Sequence, residues 1–360
     1  MKMSKKITLS LAPMAGITDL PFRLICKKHG ADIVYSEMIS ATGLFYGKND
    51  KSLLLAQSIK EEAPLAIQLF GNNPEHFAKA TQIISSLSNK NSPNPAKIKN
   101  MSGVQGRFEQ RKKRTNLVLR VSSKKSDEEI RQIFSFRPPK EININFGCPA
   151  KKIYKQSSGC FLMKKPILAK KIIQAVIKNT QLPVSIKIRS GINTTEAIGF
   201  LKKIANLNWE KVIVHGRTYE KGFSGEIDFE KIKTIKKEFP EKKVVANGGI
   251  FSPEKALETL EKTGVSDLSI ARGCLGNPWI FKQIKDFLKT GKYQKPDLEE
   301  IKKTVLEHAE LFQKFHHTKN LTAFRKHLGW YFKDFPGAKK LREGLFQIKD
   351  IDGLKEILKK

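Results

Sequence analysis

A cysteine in a short, constrained loop is the residue of this sequence whose setting points most directly to chemistry. Cys148 lies between Gly147 and Pro149 and follows residues 141–146, whose alternating isoleucines and asparagines are typical of a short strand. Glycine permits unusual backbone angles and proline restricts them, so this pair would hold the thiol rigidly at a strand end. Polar and basic side chains surround it: Asn145, Lys151 and Lys152. The two lysines would attract a polyanion. We predict a catalytic thiol that acts on nucleic acid, with a buried structural thiol as the alternative.

The elements that must position this loop follow from the hydrophobic periodicity. Short apolar runs predict eight strands, at residues 7–14, 32–38, 64–70, 141–146, 183–189, 211–216, 243–248 and 267–272. A helical pattern follows each run, often begun by a capping residue and a proline. The helix after the fifth run is predicted at residues 194–206. Eight such units predict an α/β fold, a closed (β/α)8 TIM barrel. The GxGxxG pattern does not occur, which disfavours a Rossmann dinucleotide site.

Function in such a barrel lies at the carboxyl ends of the strands. Glycine-containing turns follow the seventh and eighth predicted strands, where barrels commonly bind phosphate through backbone N–H groups. Lys187 and Arg189 lie near the end of the fifth strand, and the lysine could stabilise negative charge on a ring. Gln68 lies in the third and could bind the ring's imide edge, although a partner within the backbone is the alternative. The set suggests a flavin mononucleotide (FMN) facing a substrate that needs a proton.

Two stretches differ from the barrel pattern. Residues from about 89 to 140 are rich in Ser, Asn, Pro, Lys and Arg, and we interpret them as an insertion. It is either disordered or a basic arm for phosphates, and a loop without function is an equal alternative. Residues 291–360 lack strands and predict a small helical domain after a catalytic domain at 1–290. Its predicted helices are residues 298–315, 322–332 and 338–348. Its Trp330 and Tyr331 could contact RNA or lie in a core.

The composition limits the partners. The 360 residues carry a formal net charge of +32, which favours nucleic acid over an anionic membrane surface, although a bias toward lysine contributes. The four cysteines are widely spaced without a CxxC pair, so we expect reduced thiols, a cytoplasmic location and no zinc site. Cys26 falls at helical spacing and is expected in a core. We find no signal peptide and no run long enough to span a bilayer, and we expect no bound metal.

Several motifs together resemble the tRNA-dihydrouridine synthases. They are APMAGITDLPFR, INFGCPAKK, KIRSG, HGRTYEKGFSGEIDF, VVANGGI and ARGCLGNPWIF. Residues 324–342 resemble the helical C-terminal domain of the bacterial B-type branch. The resemblance covers nearly the whole chain except about 89–140. It implies an FMN enzyme that reduces tRNA uridines to 5,6-dihydrouridine, with NADPH as the reductant.

The resemblance also implies roles for individual residues. Cys148 matches the proton donor to carbon 5, and Asn145 and Arg217 match residues that hold the target uracil, beside the basic Lys151 and Lys152. The residues that match flavin or phosphate contacts are Pro13, Met14, Ala15, Gln68, Lys187, His215, Asn247, Gly248, Gly249, Ala271 and Arg272.

Three features complicate this assignment. A thiol that donates a proton must be protonated, whereas the lysines near Cys148 favour thiolate. Cys160 stands in a run where the family has small residues, as a packing substitution or a partner for Cys148 on oxidation. Ala271 stands where the phosphate turn usually has glycine, so a turn requiring positive φ would bind phosphate weakly.

Two other functions remain open. A flavin-dependent barrel reductase of a small molecule is one, and an RNA-binding protein that has lost catalysis is the other. The basic C-terminal helices disfavour the first, and the intact cysteine loop disfavours the second. We expect the protein to be a monomer.

Overall fold

The computed structural model of the chain describes residues 7–47, 50–86, 137–333 and 337–359. Within these residues, parallel strands form a closed barrel in the order β1-β10-β9-β8-β5-β4-β3-β2, and β6 pairs with β7 in a separate two-stranded sheet. The strands are β1 (Thr8–Leu11), β2 (Ile33–Ser40), β3 (Leu65–Phe70), β4 (Glu141–Phe146), β5 (Val184–Arg189), β6 (Gly191–Ile192), β7 (Thr195–Glu196), β8 (Lys211–His215), β9 (Lys243–Asn247) and β10 (Asp267–Ile270). The predicted barrel is confirmed.

The β6–β7 hairpin lies where the sequence predicted the start of a helix at residue 194. Asn193 turns the chain with a φ of 48°, a left-handed angle that asparagine tolerates better than most residues. The helix therefore begins only at Ala197.

Helices follow the barrel strands, as predicted. They are α1 (Leu20–Lys28), α2 (Ala41–Phe45), α3 (Asp50–Leu54), α4 (Pro74–Ser86), α5 (Lys151–Lys155), α6 (Pro166–Ile177), α7 (Ala197–Ile204), α8 (Phe229–Glu238), α9 (Pro253–Thr263), α10 (Ile280–Thr290), α11 (Leu298–His316), α12 (Arg325–Tyr331), α13 (Ala338–Leu345) and α14 (Ile351–Leu358). At the start of α1, the Asp19 carboxylate accepts from the backbone N–H of Phe22, and Pro21 occupies the first turn. The sequence did not predict α14, which Asp350 caps.

The contacts between residues divide the chain into two compact units. The first comprises residues 1–35 and 245–360, and the second comprises residues 36–244. In the second unit, every side chain of β4 is buried, including Asn143 and Asn145. Cys26 belongs to the first unit and is fully buried, which confirms the core prediction for this thiol.

The C-terminal helices of the first unit share an apolar core that includes Val305, Phe324 and Leu328. Tyr331 is part of this core, and its hydroxyl lies 3.2 Å from Nδ1 of buried His308. The core interpretation is therefore confirmed for Tyr331, whereas Trp330 is half-buried. The predicted domain boundary near residue 290 stays a prediction.

In the part of the chain that the structure describes, no helix combines the length and the apolar character needed to cross a membrane. Residues 89–136 of the predicted insertion lie outside the described residues.

Candidate active site

The side chain of Asn145 organises the loop that carries Cys148. The strand β4 ends at Phe146, so the next backbone N–H groups need partners outside the ladder. The Oδ1 atom of Asn145 accepts from the N–H of Gly147 at 3.0 Å and from the N–H of Cys148 at 2.9 Å. The half-buried thiol is thereby held in a defined place at the carboxyl end of the barrel strand.

Gly147 is required for space rather than for its backbone angles. A Cβ atom at this position would lie 3.2 Å from the carbonyl oxygen of Lys187 and 3.2 Å from the carbonyl carbon of Ile188. Its φ lies outside the left-handed region. The expectation of an unusual backbone angle is wrong here, and the close approach of the loop to β5 is the reason for glycine.

A second turn packs directly against the Cys148 loop. The N–H of Cys160 donates to the carbonyl of Cys148 at 3.1 Å. Gly159 has a φ of +62°, and a Cβ there would come within 2.9 Å of the same carbonyl oxygen. Cys160 is fully buried, and both thiols are free. This burial agrees with a packing role for Cys160, and its disulfide with Cys148 stays a prediction.

Gln68 is hydrogen-bonded at both ends of its amide inside the barrel. Its Nε2 donates to Oδ1 of Asn143 at 2.6 Å, and its Oε1 accepts from Nδ2 of Asn145 at 2.9 Å. Asn145 Nδ2 also lies 3.6 Å from the sulfur of Met38. Both ends of the Gln68 amide therefore bond to side chains. From the sequence we predicted either a ligand or a backbone group as the partner. Its contact with a flavin stays a prediction.

This chain of hydrogen bonds continues to the amino-terminal end of the strands. Asn143 Nδ2 donates to Oγ of Ser185 at 2.6 Å, and that hydroxyl donates to the carboxylate of Glu141. Lys211 pairs with the same carboxylate. Each group from the Cys148 N–H to Ser185 donates toward the next, so the buried carboxylate sets the orientation of the amides. The sequence predicted neither Glu141 nor Asn143 as part of the site, although a glutamate opening an isoleucine-rich strand is a signal for a buried polar partner.

Arg189 connects the Cys148 loop with the loop that follows β8. Its Nε donates to the carbonyl of Gly147 at 3.1 Å. Its Nη1 donates to the carbonyls of Thr218 at 2.8 Å and Gly222 at 2.7 Å. Only 1% of the residue is exposed. The sequence placed Arg189 at a strand end without assigning it a role.

The surroundings of the Cys148 thiol favour its protonated form. Burial raises its pKa, and the backbone N–H of Ala150 and the charges of Lys187 and Arg189 lower it by less. Burial, followed by the charge of Arg189, lowers the pKa of Lys187 to about 7. The positive charges of Lys187 and Arg189 favour thiolate, and burial has the larger effect. Lys151 and Lys152 are exposed, and their effect on the thiol stays a prediction.

A hydrogen bond between two of its own residues stabilises the loop after β8. His215 and Arg217 are buried, at 8% and 7% exposure, and Arg217 Nε donates to the carbonyl of Gly225 at 2.9 Å. The predicted contacts of His215 with flavin and of Arg217 with uracil stay predictions.

In the unit of residues 1–35 and 245–360, Thr18 fixes the turn after β1. Its hydroxyl accepts from the N–H of Met14 at 3.1 Å, and its own N–H donates to the carbonyl of Met14 at 3.0 Å. Pro13 and Met14 are half-buried and Ala15 is exposed. The turn presents the predicted flavin segment on a defined backbone.

The same unit contains the predicted phosphate turns. Gly248 and Gly249 have φ values of 107° and 72°. Asn247 donates from Nδ2 to the carbonyl of Ser269 at 2.6 Å, and the exposed Arg272 lies 5.4 Å from the ring centroid of Phe251.

Ala271 has a φ of −108°, so alanine causes no left-handed strain at this position. The residue that must be glycine is Gly273, where a Cβ would lie 2.0 Å from the carbonyl oxygen of Ile250. Weak phosphate binding on account of Ala271 is therefore not expected. Among the described residues, no group of three or more His, Cys, Asp and Glu side chains is placed to hold a metal ion.

Comparison with known proteins places this geometry in context. The family model described as dihydrouridine synthase (Dus) matches residues 10–90 and 102–360, so the resemblance extends into the stretch predicted as an insertion. The tRNA-dihydrouridine synthase B of Pseudomonas aeruginosa is 33% identical over 350 residues, which cover 96% of this chain and 89% of that protein. The tRNA-dihydrouridine synthase B of Shewanella oneidensis is 34% identical over 330 residues, covering 91% and 86%. A probable tRNA-dihydrouridine synthase of Rickettsia bellii is 32% identical over 351 residues, covering 96% and 92%.

Proposed function

Because the chain belongs to the dihydrouridine synthase family, we propose that it is a B-type enzyme that reduces uridines of tRNA to 5,6-dihydrouridine with FMN and NADPH. The observation that carries the proposal is the setting of Cys148. Its thiol is half-buried, its loop is held by Asn145, and burial raises its pKa. A protonated thiol at a strand end is suited to donate a proton.

The reaction requires one hydride and one proton. The double bond between carbons 5 and 6 of uracil is a poor electrophile, so hydride arrival at carbon 6 must be matched by protonation of carbon 5. The S–H bond of Cys148 breaks as the C–H bond at carbon 5 forms, and the thiolate then recovers a proton from solvent. NADPH supplies the two electrons overall and becomes NADP⁺.

Each of the two units contains residues whose chemistry suits a part of an FMN cofactor. Lys187 pairs in register with Asn145 across β4 and β5, which places a cationic side chain beside the Cys148 strand. Gly248, Gly249 and the exposed Arg272 offer backbone N–H groups and a guanidinium, which suit a phosphate. Bound FMN would supply the hydride.

The other predicted flavin contacts, assigned through the family, are Pro13, Met14, Ala15, Gln68, His215, Asn247 and Ala271.

The substrate contacts belong to the proposal as well. Asn145 and Arg217 would hold the uracil, and the exposed Lys151 and Lys152 would contact tRNA phosphates. The target base must leave its stack to reach the thiol, which costs a few kcal/mol and is easiest in an exposed loop. A cytoplasmic monomer without a metal is part of this proposal.

The test is an absorbance spectrum of the purified protein, followed by mass spectrometry of nucleosides from unmodified tRNA incubated with protein and NADPH. We expect a flavin spectrum and a uridine product heavier by two hydrogen atoms. Cys148→Ala should abolish the product, whereas Cys160→Ala removes the neighbouring buried thiol and should retain it.

Three outcomes would contradict the proposal. Failure to load the protein with flavin would show that FMN is not its cofactor. Loaded protein that leaves tRNA unchanged but reduces a small enoate or dihydroorotate would indicate a small-molecule reductase. Equal amounts of product from Cys148→Ala and from the wild type would show that Cys148 is not the proton donor.

A further inference from the structure

An aromatic side chain is exposed beside the Cys148 loop. Phe223 belongs to residues 217–225, which follow β8, and it is 56% exposed. Exposed aromatic rings on RNA-modifying proteins are suited to stack on unpaired bases, since every base has a π-face. Phe223 differs from other exposed apolar residues because Arg189 connects its loop with the Cys148 loop.

Arg189 holds this ring in a defined relation to the thiol loop. The guanidinium carbon lies 5.4 Å from the centroid of the Phe223 ring. The same guanidinium binds the carbonyl of Gly147, next to Cys148, and the carbonyl of Gly222, next to Phe223. One buried cation thus fixes the backbone on both sides and lies against the exposed ring, which favours a pre-organised contact.

A second contact connects the same two segments. Tyr154 of α5 stacks on Tyr219 at 4.8 Å between ring centroids, with 28° between the ring planes. The N–H of Tyr219 donates to the carbonyl of Gly191 at 2.9 Å. The segment after Cys148 and the loop with Phe223 therefore form one continuous surface of the unit of residues 36–244.

We propose that Phe223 stacks on the base of a nucleotide that flanks the target uridine in tRNA. The proposal rests on the proposed function and adds a binding residue to it. The target base itself must reach the half-buried thiol at the strand end. A flanking base stays outside that position, where the exposed ring of the adjacent loop can receive it.

The test is tRNA affinity, measured by fluorescence anisotropy with flavin-loaded protein and without NADPH. Phe223→Leu keeps an apolar side chain but removes the aromatic face, and it should weaken binding about tenfold. Phe223→Tyr should bind like wild type. Ile167→Ala alters another exposed apolar residue, 76% exposed on α6, and should leave affinity unchanged.

Transcripts with an abasic nucleotide on either side of the modified uridine identify the partner. One of the two should weaken wild-type binding and have no further effect on Phe223→Leu, because the same contact is already lost. Equal affinity of Phe223→Leu and wild type, or additive losses with both abasic transcripts, would overturn the proposal. Dihydrouridine formation by the wild type in the same preparation separates failure of this inference from failure of the proposed function.

Discussion

The side-chain oxygen of Asn145 lies 2.9 Å from the backbone nitrogen of Cys148 and accepts its hydrogen bond. The same oxygen accepts from Gly147, and the amide nitrogen donates to Gln68. A single amide therefore connects the thiol loop to the buried hydrogen bonds of the barrel interior, so the position of the thiol depends on groups that never touch it.

Asn145→Ala should leave two backbone donors without this acceptor and let the loop shift. A displacement of about 1 Å can lower turnover about 100-fold. Stability should also fall by about 1–3 kcal/mol, because buried donors lose their partner. Steady-state kinetics and urea unfolding check both. Asn72→Ala removes an exposed amide bonded to Gln156 and serves as the control. Unchanged turnover in Asn145→Ala would contradict a positioning role.

Gly159→Ala should disturb the thiol loop through a direct contact. The new Cβ would lie 2.9 Å from the Cys148 carbonyl oxygen, in addition to the strain of a φ of +62°. Gly291→Ala introduces the same kind of strain at a φ of +75° with nothing within 4 Å. We expect both variants to lose about 1 kcal/mol of stability from the backbone. Only Gly159→Ala should also lose turnover, about tenfold or more.

The ion pair of Glu141 and Lys211 should stabilise the barrel interior. Their side chains are 8% and 12% exposed, so Lys211→Met leaves a buried carboxylate unpaired. The expected loss is about 3–5 kcal/mol of unfolding free energy. The double variant Glu141→Gln with Lys211→Met should be less destabilised than the sum of the single variants, as a double-mutant cycle by urea unfolding can show. Additive losses would mean that the two residues do not interact.

The reactivity of Cys148 should depend on Lys187 and not on Lys151. Burial raises the thiol pKa and Lys187 lowers it in part. Lys187→Met should therefore move the alkylation of Cys148 by iodoacetamide to higher pH, whereas Lys151→Met, at an exposed lysine, should not. Peptide mass spectrometry across a pH series distinguishes Cys148 from the buried thiols. A shift of equal size in both variants would show that the loop lysines set the thiol pKa.

His308 should make stability depend on pH below neutrality. Burial lowers its pKa from 6.5 to about 4. Between these values the unfolded chain binds a proton that the folded chain does not, so stability falls as pH falls, by about 1.4 kcal/mol per pH unit at most. Burial also lowers the pKa of His29 to about 4 and lowers that of His327, so His308→Gln should remove only its own part of this slope in urea unfolding from pH 7 to 4.5. The exposed His317→Asn should leave the slope unchanged. A slope in His308→Gln equal to that of the wild type would contradict the contribution of His308.

The carboxylate of Asp19 should make stability depend on pH in a more acidic range than His308 does. Burial raises the pKa of Asp19, but the hydrogen bond from His316 and the charges of His327 and His316 outweigh burial and bring it to about 2. The stabilisation is present above pH 3.8 and is lost as pH falls from 3.8 toward 2. Asp19→Asn should remove this acid-dependent part in urea unfolding below pH 4. It should also lower the pKa values of His308 and His327 further, because the Asp19 charge raises both.

The barrel was predictable because its signals are local. Each strand is a short apolar run, and the Asp19 cap and Pro21 mark the start of α1 within a few residues. The β6–β7 hairpin was not predictable in this way, since its two-residue strands are too short to show alternation. The last helix, α14, was missed although it has a capping aspartate.

By itself, the sequence determined that Cys148 lies directly after a strand end and which family the motifs resemble. These depend on residue types and spacings along the chain. The tertiary structure alone decided that Gln68 bonds to Asn143 and Asn145, and that Arg189 binds carbonyls 29 to 42 residues away. It also decided the direction in which the pKa of Cys148 is shifted. Neighbouring lysines in the sequence favour thiolate, but burial, which depends on elements distant in the chain, has the larger effect.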